Sequence, residues 1–179
     1  MIDRESNVAV EVPAGPRPGA MLPYFKLPSA QGKMIDPVQY KQRRNLLLVF
    51  VHDQACDACR NVLRAFAQHY DYYKEEEAEV LAIAAVSQEE ARRMVDDLAL
   101  PFPVLADEDG AVHRLYGAVA SEATPGAAVY LADRFGEIRE RWLAGKTEHT
   151  LPAQEDVLEY LRFIGYQCPE CGAPEWPPV

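Results

Sequence analysis

The sequence has no apolar run approaching the roughly 20 residues that a membrane-spanning helix needs, so a transmembrane protein is not expected. It is short of positive charge: 18 Lys and Arg stand against 28 Asp and Glu, a formal net charge of −10. An acidic surface repels phosphate backbones and anionic headgroups, so neither nucleic acid nor a membrane is an expected partner. The first ten residues, MIDRESNVAV, lack a basic stretch followed by a long apolar one. No signal peptide is expected, and the expected compartment is a reducing cytoplasm. No internal repeat is visible. Cysteine is scarce as well. The four cysteines form two Cys-x-x-Cys pairs, Cys56/Cys59 and Cys168/Cys171, and none is left over. In a reducing compartment such pairs serve catalysis or metal binding more often than they staple a fold.

What is present describes one globular domain. The length of 179 residues suits a single domain with a real core. Residues 1–15 read as an irregular lead, with Pro13, Pro16, Pro18, Gly15 and Gly19 falling within the first 20 residues. Residues 16–165 carry the periodic segments, and 166–179 form a Pro-rich tail holding the second cysteine pair. NLLLVFV at 45–51 is a continuous apolar run of strand length, expected at the centre of a sheet. VLAIAAV at 80–86 reads as a second buried strand, and residues 100–105 as a short third one between prolines. Residues 21–28 read as a short edge strand before a turn at 29–33. Leu63, Phe66, Tyr70 and Tyr73 recur at helical spacing on one face. Ser87 with Glu90 three residues on predicts a capping box, opening a helix that buries Ala91, Met94, Val95 and Leu98. Residues 112–116 read as a helical turn. AVYLA at 128–132 and IRERWL at 138–143 predict an antiparallel hairpin that Tyr130, Phe135 and Trp142 pack. A last helix covers 154–163, with Pro152 near its start. The order predicts an α/β fold with a mixed central sheet and helices on both faces, a three-layer α/β/α sandwich.

The chemistry concentrates in VHDQACDACR at 51–60. Cys56 falls just past a central strand and just before a helix. Reactive groups collect at the carboxyl ends of strands in α/β folds. A helix N-terminus offers partial positive charge and free N–H groups that stabilise a thiolate. Cys59, one turn further on, can close a disulfide with Cys56. Asp53 and Asp57 oppose thiolate formation, Arg60 offsets part of that, and the pair is expected to be less acidic than a strongly oxidising one. His52 is a candidate base or donor beside the thiols, or a space filler. His69 and His113 read as surface or packing residues, and His149 has no evident partner. Zinc and idle buried thiols are the other readings of the first pair, but zinc needs two more ligands, and zinc pairs favour a tight turn over a helix start.

Four segments, in order, resemble the alkyl hydroperoxide reductase / thiol-specific antioxidant family, the peroxiredoxins and their thioredoxin-like relatives. They are PGAMLPYFKLPSAQGK at 18–33, LLLVFVH at 46–52, LPFPVLADEDG at 100–110 followed by LYG at 115–117, and TPGAAVYLADRFGEI at 124–138. The resemblance covers about residues 16–164 and implies a thioredoxin-like fold. It also implies that Pro125, preceded by Thr124, is a cis-proline that faces the cysteines and lines a substrate groove. The departures matter. In the family's Pro-x-x-x-Thr/Ser-x-x-Cys motif the reactive cysteine matches Cys59, but His52 stands for the proline and Cys56 for the hydroxyl residue. The peroxide-polarising arginine falls at Ala127. The tryptophan before the pair in reductase relatives falls at Ala55.

These departures favour thiol–disulfide exchange, with Cys56 attacking and Cys59 resolving. A peroxiredoxin-type thiol peroxidase, with Cys59 peroxidatic and Cys56 resolving, is the alternative. A non-catalytic adaptor with a zinc-bound tail is the third reading. The enzymatic readings need no cofactor. Their expected partners are a disulfide-bearing protein or a hydroperoxide, and a cellular thiol reductant. The CPEC pair, Cys168 and Cys171, fits zinc completed by a second tail in a homodimer, or a dithiol that reduces the first pair.

Overall fold

The computed structural model describes residues 14–53, 55–121, 124–144 and 151–167. The tail pair Cys168/Cys171, His149 and most of the 1–15 lead lie outside the described residues. The described elements run in chain order. A two-residue hairpin pairs β1 (Leu27–Pro28) with β2 (Met34–Ile35), and a 3-10 turn follows at Pro37–Tyr40. Then come β3 (Asn45–Val51), α1 (Asp57–Gln68), α2 (Tyr70–Glu75), β4 (Ala78–Ala84) and α3 (Gln88–Leu98). Next are β5 (Val104–Ala106), α4 (Ala111–Leu115), β6 (Val119–Ser121) and β7 (Thr124–Pro125). The chain closes with β8 (Ala128–Ala132), β9 (Ile138–Leu143) and α5 (Gln154–Gly165).

The main sheet has the order β5-β4-β3-β8-β9. β3 and β4 are parallel, as are β4 and β5. β8 runs antiparallel to β3, and β9 antiparallel to β8. β3 is the middle strand, and all seven of its residues are buried. That explains its unbroken apolar run: both faces of a central strand are covered. The pleat splits it cleanly. Leu47, Val49 and Val51 join one core, while Leu46, Leu48 and Phe50 join the other.

The first core packs α1, α2, α3 and α5 onto the sheet through Leu63, Phe66, Tyr73, Met94, Val157 and Leu161. The helices of both parallel crossovers therefore share one face, as same-handed connections require. The second core is closed by a thinner layer: Val112 of α4, Tyr116, and Leu22, Phe25 and Ile35 from the N-terminal segment. Phe50, Tyr116 and Tyr130 stack there, with Tyr116 and Tyr130 edge to face at 5.2 Å. The Tyr116 hydroxyl donates to Pro23 O at 2.7 Å, which ties the N-terminal segment down. The result is the thioredoxin-like α/β/α sandwich with a mixed sheet, unequal in its two outer layers. Among the described residues no helix is long and apolar enough to cross a membrane.

Local sequence explains most of the boundaries. Ser87 and Glu90 form the predicted box: Glu90 N donates to Ser87 Oγ at 3.3 Å, and Ser87 N to Glu90 Oε2 at 2.9 Å. The stripe from Leu63 to Tyr73 is two helices rather than one. His69, at φ −103 and ψ 6, breaks it, and its ring nitrogen lies 2.9 Å from Ala65 O. Tyr70 packs its ring against the edge of the first core, 5.7 Å from Phe102, and donates its hydroxyl to Glu79 at 2.8 Å. The edge strand expected over 21–28 shrinks to β1, with Met21 in a lone bridge to Glu137. The prolines at 101 and 103 likewise leave β5 only three residues. Trp142 packs on Tyr160 of α5, so it joins the hairpin to the last helix.

Candidate active site

β3 ends at Val51 and α1 begins at Asp57. Cys56 is the N-cap of α1, with extended backbone (φ −78, ψ 113), and the Cys59 N–H donates to its Sγ at 3.5 Å. A thiol thus fills a role that a hydroxyl or carboxylate usually takes. Cys59 starts the buried stripe that continues through Leu63 and Phe66, which is why it is 2% exposed while Cys56 at the cap is half-buried. Both cysteines are free thiols.

His52 turns back over the helix start. Its Nδ1 lies 3.3 Å from Cys59 Sγ. One ligand atom from each of His52, Cys56 and Cys59 can be chosen so that all three lie within 4.8 Å of one another. The two sulfurs are therefore close enough for a disulfide after small side-chain rotations. Burial pushes the Cys59 thiol above its ordinary range. The backbone of His52 works against that rise, and the Cys56 side chain adds to it. Asp53 is exposed and caps the loop, accepting from Ala55 N at 2.9 Å. Asp57 is exposed and Arg60 half-buried.

Behind the loop lies a feature that sequence reading missed. His113 and Asp107 are both fully buried. His113 Nδ1 lies 2.7 Å from Asp107 Oδ2, and its Nε2 lies 3.0 Å from the carbonyl of Val51, the last residue of β3. Both ring nitrogens lie within hydrogen-bond distance of an oxygen. Asp107 also accepts from the backbone N–H groups of Val112 at 3.2 Å and His113 at 2.8 Å, opening α4. Burial alone would raise the Asp107 carboxyl; the His113 side chain and these N–H groups outweigh it and hold the carboxyl below its ordinary range. The available signal was an aspartate just before a turn and a short helix, where such residues cap. Nothing in the sequence tied it to a histidine six residues later.

Thr124 and Pro125 form β7, paired with β6. Thr124 is exposed and accepts from Ser121 Oγ at 2.9 Å, and Pro125 is half-buried against Gly110 at the start of α4. Ala127 is half-buried where the resemblance expects an arginine.

The family model described as "AhpC/TSA family" matches residues 18–141. The chain belongs to the AhpC/TSA family. Its membership rests on a span holding β3, the cysteine loop, α4 and the β8–β9 hairpin almost entire. Two curated relatives are a chloroplastic peroxiredoxin Q of Suaeda salsa and one of Sedum lineare. The first is 27% identical over 82% of this chain and 66% of its own length. The second is 26% identical over 76% of this chain and 72% of its own. The chain thus spans about two thirds of the curated relatives it matches. The crystal structure of peroxidoxin BcpB from Mycobacterium tuberculosis superposes with a TM-score of 0.73 at 16% identity, covering 83% of this chain and 97% of that one. At that identity the likeness speaks for the fold.

Proposed function

We propose that this chain reduces hydroperoxides, with Cys59 taking the oxygen and Cys56 resolving the product. The broader class, an oxidoreductase working through thiols, follows from family membership. The observation that carries the finer reading is the approach of His52 Nδ1 to Cys59 Sγ at 3.3 Å, with Cys56 beside them. His52 takes the thiol proton as general base. The thiolate attacks one peroxide oxygen, the O–O bond breaks, and the other oxygen leaves as an alcohol or water with a proton. Cys59 is then a sulfenic acid. Cys56 attacks its sulfur, water leaves, and a Cys56–Cys59 disulfide forms. A thiol reductant of the host cell, in a reducing compartment such as the cytoplasm, returns two electrons. The peroxiredoxin Q relatives favour this reading over the disulfide exchange that the sequence departures suggest. Ala127 in place of an arginine argues for a slower rate than a site with a preorganised donor to the O–O bond would give, though one still above that of a free thiolate.

A second reading keeps a specific observation in its favour. Cys56 is the more exposed thiol, and the Cys59 thiol is buried and raised. That is the division of labour of disulfide exchange, with Cys56 attacking a substrate disulfide, Cys59 resolving, and Thr124 and Pro125 lining the groove. One experiment separates the two. The Cys56→Ser variant is treated with one equivalent of hydrogen peroxide and a sulfenic acid trap, then mapped by mass spectrometry. A trapped Cys59 supports the peroxidase; an untouched Cys59, with Cys59→Ser capturing disulfide partners through Cys56, supports exchange.

A further inference from the structure

The first cysteine pair lacked two ligands for a metal when only the sequence was considered, and the fold supplies one of them. We infer that His52, Cys56 and Cys59 form, in the reduced protein, a three-ligand site for a thiophilic d10 cation of the zinc(II) class. Thiolates and imidazole are the donors such ions select. At metal–sulfur bonds of about 2.3 Å and metal–nitrogen bonds of about 2.05 Å, a tetrahedral site has S–S edges of about 3.8 Å and S–N edges of about 3.5 Å. The His52 Nδ1 to Cys59 Sγ separation of 3.3 Å already fits the second edge. The remaining donor pairs lie within 4.8 Å, so closing the site asks for changes of at most about 1.3 Å in any separation.

Charge and hydrogen bonding support it. Two thiolates and a dication sum to zero, which removes the cost of two uncompensated charges beside a buried sulfur. The Cys59 N–H already donates to Cys56 Sγ at 3.5 Å, and the N-terminus of the 12-residue helix α1 favours negative sulfur. The cluster among the described residues holds these three side chains and not Asp53, so the fourth position is left to water. Two cysteines, one histidine and an open position are the donor set of a reactive zinc centre rather than a closed structural one. The same thiolates serve the redox chemistry, so metal and oxidant compete. Bound metal shields the pair, and oxidation to the Cys56–Cys59 disulfide expels the metal. The site depends only on the reduced pair and stands whether or not peroxide is the substrate.

The test uses the full chain carrying Cys168→Ser and Cys171→Ser, so that the tail contributes no ligand. Reduced protein is titrated with Zn²⁺ against a chromophoric chelator, and with Co²⁺ to read sulfur-to-metal charge transfer. The expected result is one equivalent bound with thiolate bands, lost on oxidation to the disulfide and regained on reduction. His52→Ala, checked for folding by circular dichroism, is expected to weaken Zn²⁺ at least about tenfold. Absence of Zn²⁺ binding by the reduced protein overturns the inference. So does equal affinity in a folded His52→Ala variant, or metal that survives disulfide formation.

Discussion

Replacing Asp107 by Asn changes one oxygen to an amino group and removes one charge from the interior. Asp107 currently receives three donors: Val112 N, His113 N and His113 Nδ1. An amide offers one oxygen, so at least one backbone N–H at the start of α4 loses its acceptor. The imidazole also loses a carboxylate oxygen partner while staying fully buried. Breaking a buried pair from one side costs about 3–5 kcal/mol. That is a large share of a total stability on the order of 5–15 kcal/mol. For a chain of this size it corresponds to a fall in Tm of roughly 10 °C. Urea unfolding under reducing conditions reads it directly. Asp107→Asn should lower the midpoint with an unchanged slope. The pH dependence has a definite sign. The folded carboxyl is held below its unfolded value of about 3.9, so its stabilising contribution is fully present above that pH. The contribution is lost as pH falls through the folded value, and the variant's acid limb should be correspondingly flatter. A loss below about 1 kcal/mol at neutral pH, or an unchanged acid limb, would refute the buried-pair reasoning.

Three further outcomes are expected. Ser87→Ala removes half of the capping box, and chemical denaturation should show a loss of about 0.5–2 kcal/mol. Gly126→Ala puts a Cβ 2.8 Å from Ala120 N and 2.9 Å from Val119 C, so the β6–β7 ladder must shift; overpacking of this kind costs about 1–3 kcal/mol, read as a lowered Tm. His52→Ala should slow peroxide consumption by roughly a hundredfold while leaving the unfolding midpoint within about 1 kcal/mol of wild type, because a general base acts on rate and not on the fold.

The fold was legible because its signals agree at several levels. The apolar run at 45–51 has the length of a strand covered on both faces, and β3 is that strand. Ser87 and Glu90 announced their helix by spacing alone. Boundaries were less legible where tertiary context overrides pattern. Tyr70 and Tyr73 share a spacing and a core with Leu63 and Phe66, but the chain breaks at His69, and of the two tyrosines only Tyr73 is fully buried while the Tyr70 hydroxyl reaches Glu79. At the site, Cys56 and Cys59 were legible from their position between strand and helix. The approach of His52 to Cys59 depends on how a loop turns, which periodicity does not encode. His113 resembled a packing residue because its partners, Asp107 and the Val51 carbonyl, are brought to it by separate segments of the chain.

The central claim is that Cys59 is a peroxide-reactive thiol resolved by Cys56. It is tested most directly by mixing fully reduced protein with hydrogen peroxide in a stopped-flow instrument and following thiol loss, with mass spectrometry on quenched samples. The account predicts a rate well above that of a free thiolate, oxygen first on Cys59, and conversion to a Cys56–Cys59 disulfide. A rate equal to that of a free thiol, or oxygen first on Cys56, would contradict it.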